Sequence, residues 1–148
     1  MLGVFSNQPL VLALIAWAIA QIVKVPLEFL RSKRWNWALL FRAGGMPSSH
    51  AALVAGIAHG IGLYEGFQTP IFAIAFALAM VVIYDATGIR RQAGKHARII
   101  NQMITDLTSG HPLKQEQLRE VLGHTPMEAV MGTLLGIITA QIGWFIWK

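Results

Sequence analysis

Three observations predict an all-α fold, an integral membrane bundle of about four transmembrane helices. Only 13% of the 148 residues are charged and 55% are hydrophobic, whereas a soluble domain carries about 25% charged residues. The charge deficit is concentrated: the stretches Met1–Val23, Ala43–Tyr64, Gly66–Tyr84 and Ala129–Trp147 contain no Asp, Glu, Lys or Arg. Each approaches the roughly 20 residues that a helix needs to cross the hydrocarbon layer. The polar residues fall between them, in Lys24–Arg42, around Glu65 and in Asp85–Glu128. The whole chain, 1–148, reads as a single membrane-embedded domain.

The first span has its apolar core at Leu10–Val23 and is expected to continue as a helix through Glu28–Arg31, with Pro26 as a possible kink point. It lacks a basic leader and a small-residue cleavage site, so it reads as a retained helix rather than a signal peptide. The third span runs on past Asp85, with Gly88 and Gly94 as weak points. Lys114–Leu122 reads as a short amphipathic helix outside the membrane core. Thr125-Pro126-Met127-Glu128 opens the last span as a capping box, with Thr as the cap, Pro at the first helical position and Glu at the third. Gly56 with Gly60, and Gly132 with Gly136, have the spacing that lets membrane helices approach closely. Trp35, Trp37, Trp144 and Trp147 read as interfacial anchors.

Lys24, Arg31, Lys33, Arg34 and Arg42 follow the first span, and Arg90, Arg91, Lys95, Arg98, Lys114 and Arg119 follow the third. The other side has only Lys148. The excess of Lys and Arg predicts that both basic stretches are cytoplasmic, with the cell membrane as the expected location. The net charge of +5 fits loops held near anionic headgroups, and no nucleic-acid motif accompanies it. The chain has no cysteine, which excludes thiol chemistry and Cys-ligated metal.

Chemistry-bearing residues cluster on the basic side. Lys24 and Arg31 are seven residues apart, and seven steps of about 100° return to within about 20°, so both project from one helix face. Gly44-Gly45-Met46-Pro47-Ser48-Ser49-His50 places a pliable glycine loop before a helix N-terminus whose N–H groups and dipole favour an anion. Arg90 and His96 lie beyond the third span. Arginines, a lysine, a helix start and two imidazoles are the mixture that phosphate recognition and transfer require.

These motifs resemble those of the type-2 phosphatidic acid phosphatase superfamily, which includes the vanadium haloperoxidases. That superfamily has Lys-x6-Arg-Pro, then Pro-Ser-Gly-His, then Ser-Arg-x5-His-x3-Asp. This chain has Lys24-x6-Arg31, Pro47-Ser48-Ser49-His50 and Arg90-x5-His96, in that order. The phrases GGMPSSHAALV, YDATGIRRQAGKHARIIN and GHTPMEAVMGTLLG are similar to the divergent branch found in bacteria and plants. The chain departs from the superfamily pattern at Ser32 (for Pro), Ser49 (for Gly), Ile89 (for Ser) and Ile100 (for Asp).

The resemblance implies that His96 attacks phosphorus and that His50 protonates the leaving oxygen and then activates water. Lys24, Arg31, Ser48, Ser49 and Arg90 would bind the phosphoryl oxygens, with no metal and no cofactor. Asp85, Asn101 and Glu128 are supporting candidates. Asp85 would lie about 16 Å from His96 along a continuous helix, too far to orient it, and Glu128 reads first as a capping residue. The superfamily core has more helices, so a homodimer is one way to complete the site. His59 is expected to hydrogen-bond a neighbouring helix; His111 and His124 read as loop residues.

Two functions follow as expectations. One is a membrane-embedded phosphatase that hydrolyses a lipid phosphomonoester or diphosphate through a phosphohistidine. The other, favoured by the missing Asp, is a non-catalytic binder or transporter of phosphorylated lipids that keeps the anion site.

Overall fold

The computed structural model describes residues 3–40, 44–108 and 124–147, without the side chains of 89–91, 106 and 108. The chain forms α1 (Gln8–Ser32), a 3-10 turn (Trp37–Leu40), α2 (Ser49–Glu65), α3 (Pro70–Thr87), α4 (Ile89–Thr108) and α5 (Pro126–Trp147). The described residues include no strand. The proposed helix at Lys114–Leu122 lies outside the described residues.

Local chemistry explains where the helices begin and end. Asn7 Oδ1 accepts the Leu10 N–H at 3.1 Å and starts α1. α1 runs through Pro26 and closes where Lys33 turns to φ 57° and donates its N–H to the Phe29 carbonyl at 2.8 Å. Ser48 and Thr69 cap α2 and α3. Helix continues past Asp85 as the sequence predicts, and it breaks at Gly88 rather than at Gly94. The Gly88 N–H closes α3 on the Tyr84 carbonyl at 2.8 Å.

By length and composition, α1, α5 and the α3–α4 run Pro70–Thr105 can each cross a membrane. The second predicted span is shorter than expected, because Gly44 and Gly45 adopt φ of 102° and 82° and keep the chain out of helix until Ser49. α2 is therefore 17 residues long, about 26 Å at 1.5 Å per residue. It sits at the centre of the bundle, packed against α1, α3 and α5.

The packing is that of a protein in lipid. The buried apolar residues are mostly alanines, among them Ala13, Ala16, Ala20, Ala52 and Ala140, whereas Ile74, Phe76, Leu78, Val81 and Phe145 point outward. Small residues inside and large ones outside let backbones touch where lipid supplies no hydrophobic drive between helices. The predicted glycine pairs make these contacts. A Cβ on Gly132 would lie 2.2 Å from the Ser48 carbonyl oxygen, and one on Gly136 would lie 2.3 Å from that of Ala52. Gly56 faces Ala13 and Gly60 faces Pro9. His59 bonds across the same seam, its Nε2 3.0 Å from Gln141 Oε1 on α5, as its mid-span position predicts.

Gly136→Ala should therefore destabilise the bundle by about 1–3 kcal/mol, the usual cost of overpacking. Gly3→Ala, which meets nothing within 4 Å, should leave it unchanged. Unfolding in detergent micelles compares the two.

Candidate functional site

The end of the bundle where α1, α2 and α5 meet gathers the first two sequence motifs. Lys24 lies on the inner face of α1, only 2% exposed. Burying an ammonium is costly unless its donors are used. Here Nζ donates to Gln21 Oε1 and to Ser49 Oγ, the latter at 3.2 Å. Gln21 is itself anchored, with Nε2 donating to the Leu40 carbonyl at 2.8 Å. Ser48 is fully buried, and its Oγ accepts the Ala51 N–H at 3.3 Å. The glycine turn places Gly45 beside the Lys24 side chain.

A cavity of about 170 Å³ opens at this junction, lined by Lys24, Leu27, Glu28, Arg31, Leu39, Gly45, Met46 and Glu128. Lys24 and Arg31 share it, as their seven-residue spacing predicts. The volume is below the roughly 300–1,000 Å³ of sites that enclose a drug-sized molecule, so it suits a headgroup. A larger cavity of about 490 Å³ at the opposite end is lined by Glu65 and no Lys or Arg, the wrong charge for an anion.

Glu128 connects this cavity to the start of α5. Its backbone carbonyl accepts the Ser48 N–H at 2.9 Å, bringing the first turns of α2 and α5 together. The predicted capping box is formed: Thr125 N–H donates to Glu128 Oε2 at 3.1 Å, and Glu128 N–H donates to Thr125 Oγ1 at 3.3 Å. The same Oε2 lies 3.1 Å from His124 Nδ1. Glu128 thus acts as a cap and also reaches the cavity, where its charge attracts that of Lys24.

His124 lies in the loop before α5, as the sequence reading placed it, but it is buried and packed against the helix starts. Its side chain is 4% exposed, and its N–H donates to the Ala86 carbonyl of α3 at 2.9 Å. Its ring centroid is 6.1 Å from that of His50, in the first turn of α2. The available signal was its place four residues before a capping-box Glu, within reach once that carboxylate folds back over the helix start. Gln21 and Glu28 were also missed, being polar residues in an otherwise basic pattern.

The third motif is not brought to this junction by the described residues. The Arg90 side chain lies outside them. His96 is exposed on α4, and no Cα of α4 comes within 8 Å of α1, α2 or α5. Asn101 is buried on α4 beside Gly94 and Ala97, about 140° around the helix from His96, so it does not share that residue's face. Asp85 is half-buried near the end of α3 and engaged by a partner. Among the described residues, no three His, Asp or Glu side chains are arranged to hold a metal ion.

The Divergent PAP2 family model matches residues 5–139. The chain belongs to the Divergent PAP2 family. This divergent PAP2 protein is also 37% identical to the uncharacterized membrane protein YuiD of Bacillus subtilis (strain 168), over 93% of this chain and 94% of that protein. No solved structure matches it. It is a PAP2-related, membrane-embedded protein, and its first two motifs meet where Lys24 bonds Ser49.

Replacing Glu128 with Ala removes both its capping bond and the acceptor for His124, and should cost about 1–2 kcal/mol of stability. Glu128→Gln keeps a carbonyl acceptor and should cost less. Unfolding in detergent checks the order.

Proposed function

We propose that this divergent PAP2 protein is a lipid phosphate phosphatase that holds a phosphomonoester headgroup in the Lys24–Arg31 cavity and transfers the phosphoryl group to water through a phosphohistidine. The observation that carries this reading is the convergence of two motifs distant in sequence. Lys24 Nζ donates to Ser49 Oγ at 3.2 Å, and Arg31 lines the same cavity.

Arg31 lies about 10 Å beyond Lys24 along α1, so an entering headgroup meets the guanidinium at the mouth before the ammonium at the base. The α2 N-terminus adds a favourable dipole. Glu28 and Glu128 also line the cavity and offset part of the pull of the two cations on an anion. His50 lies in the first turn of α2, suited to protonate the leaving lipid oxygen and then to take a proton from water. The membrane setting favours a lipid such as phosphatidic acid, phosphatidylglycerophosphate or a polyprenyl phosphate, presented from the cytoplasmic leaflet.

One observation favours a second reading, a binder or transporter without turnover: α4, which carries His96, stands away from the cavity.

Phosphate release from a panel of lipid phosphates in mixed micelles separates these readings. The phosphatase reading expects release, lowered about 10²–10⁴-fold by His50→Ala. Arg31→Ala should weaken substrate use by about 10–100-fold, the equivalent of one charge-assisted contact. Lipid binding that depends on Arg31 without any release would overturn the phosphatase reading in favour of the binder.

A further inference from the structure

A histidine that accepts a phosphoryl group needs a place at the phosphate site and an acceptor on its far ring nitrogen. The acceptor fixes the tautomer and stabilises the cationic adduct. The superfamily pattern assigns this role to His96, followed by an Asp that is Ile100 here. His96 is exposed and makes no hydrogen bond among the described residues, and α4 does not pack against the helices that line the cavity.

His124 has such an acceptor, and that acceptor is itself part of the cavity wall. Its Nδ1 is 3.1 Å from Glu128 Oε2, and Glu128 lines the Lys24–Arg31 cavity. The carboxylate accepts, so Nδ1 carries the hydrogen, and it is the neutral ring with its lone pair on Nε2 that acts as the nucleophile. The pair is held rigidly. Its carboxylate oxygen also accepts the Thr125 N–H, the Glu128 carbonyl is tied to Ser48, and the His124 N–H is tied to Ala86. The His50 ring, which the proposed reaction uses as its acid, lies 6.1 Å from it, centroid to centroid. Its side chain is 4% exposed, which shields the ring from bulk solutes.

We propose that His124, oriented by Glu128, is the phosphoryl-accepting nucleophile of this chain in place of His96. The proposal rests on the phosphatase reading above. The Nε2 lone pair attacks phosphorus and forms an N–P bond as the P–O bond to the lipid breaks. That electron pair stays on the leaving oxygen, which takes a proton from His50 in its imidazolium form, while Nδ1–H stays with Glu128. Water then attacks phosphorus and gives one proton to the neutral His50. The N–P electron pair returns to Nε2, releasing inorganic phosphate and restoring neutral His124 and the His50 imidazolium.

The test incubates wild-type full-length protein with phosphatidic acid labelled at phosphorus, or with another lipid of the panel if that is the one hydrolysed. The reaction is quenched in base, which preserves phosphohistidine, and the labelled peptide is mapped by mass spectrometry. The expected label is on His124. His124→Asn should lower hydrolysis by about 10³-fold or more, and His96→Ala should leave it within about threefold. Glu128→Gln, which keeps an acceptor for Thr125, should lower kcat more than it raises KM. A label on His96 or His50, or hydrolysis without any label, would overturn the proposal and leave the phosphatase reading standing. Absence of hydrolysis by the wild-type protein would remove the phosphatase reading, and the proposal with it.

Discussion

The structure depends on the close approach of α5 to α2. Glycines at 132 and 136 leave no side chain between the backbones, and any Cβ there would collide with a carbonyl oxygen of α2. Helices gain little from burying large apolar residues in lipid, so this intimacy has to come from dispersion and polar contacts between small residues. It also sets the register. With Gly132 against Ser48, the Glu128 carbonyl one turn earlier meets the Ser48 N–H, and the Glu128 carboxylate comes into the cavity with Lys24 and Arg31. A shift of one turn along α5 would separate the capping box from the start of α2 and disperse the junction.

The polar groups at this junction support one another. Lys24 is buried, and Gln21, Ser49 and the field of Glu128 offset the cost of that burial. Glu128 in turn is held by Thr125 and His124. Networks of this kind are stable when every member has a partner and costly when one is removed. They also leave the side chains at this junction prearranged. The two carboxylates, Glu28 and Glu128, temper the positive potential that Lys24 and Arg31 give the cavity.

Much of the fold was legible because it depends on local rules. Uncharged stretches marked the spans, Thr125-Pro126-Met127-Glu128 marked the start of α5, the glycine pairs marked the seam, and His59 at mid-span required a polar partner and has Gln141. The second span was read too long, because Gly44 and Gly45 are as apolar as helix but adopt positive φ. At the site, Lys24 and Arg31 were legible through helical periodicity, and Ser48 through its capping chemistry. His124 was not, because its significance comes from three contacts: with Glu128, with Ala86 of α3 and with His50 of α2. Only the contact with Glu128 is local in sequence. His96 was legible as a motif residue, but spacing along a chain does not carry the direction in which α4 leaves α3 at Gly88.

The central claim is that phosphoryl chemistry in this divergent PAP2 protein belongs to the α1–α2–α5 junction. The most direct measurement is an experimental structure of the protein with orthovanadate, an analogue of the five-coordinate phosphorus of phosphoryl transfer. The account predicts vanadium bonded to His124 Nε2, with its oxygens facing Lys24 and Arg31 and with His50 opposite. Vanadium bonded to His96, with Lys24 and Arg31 away from its oxygens, would contradict it.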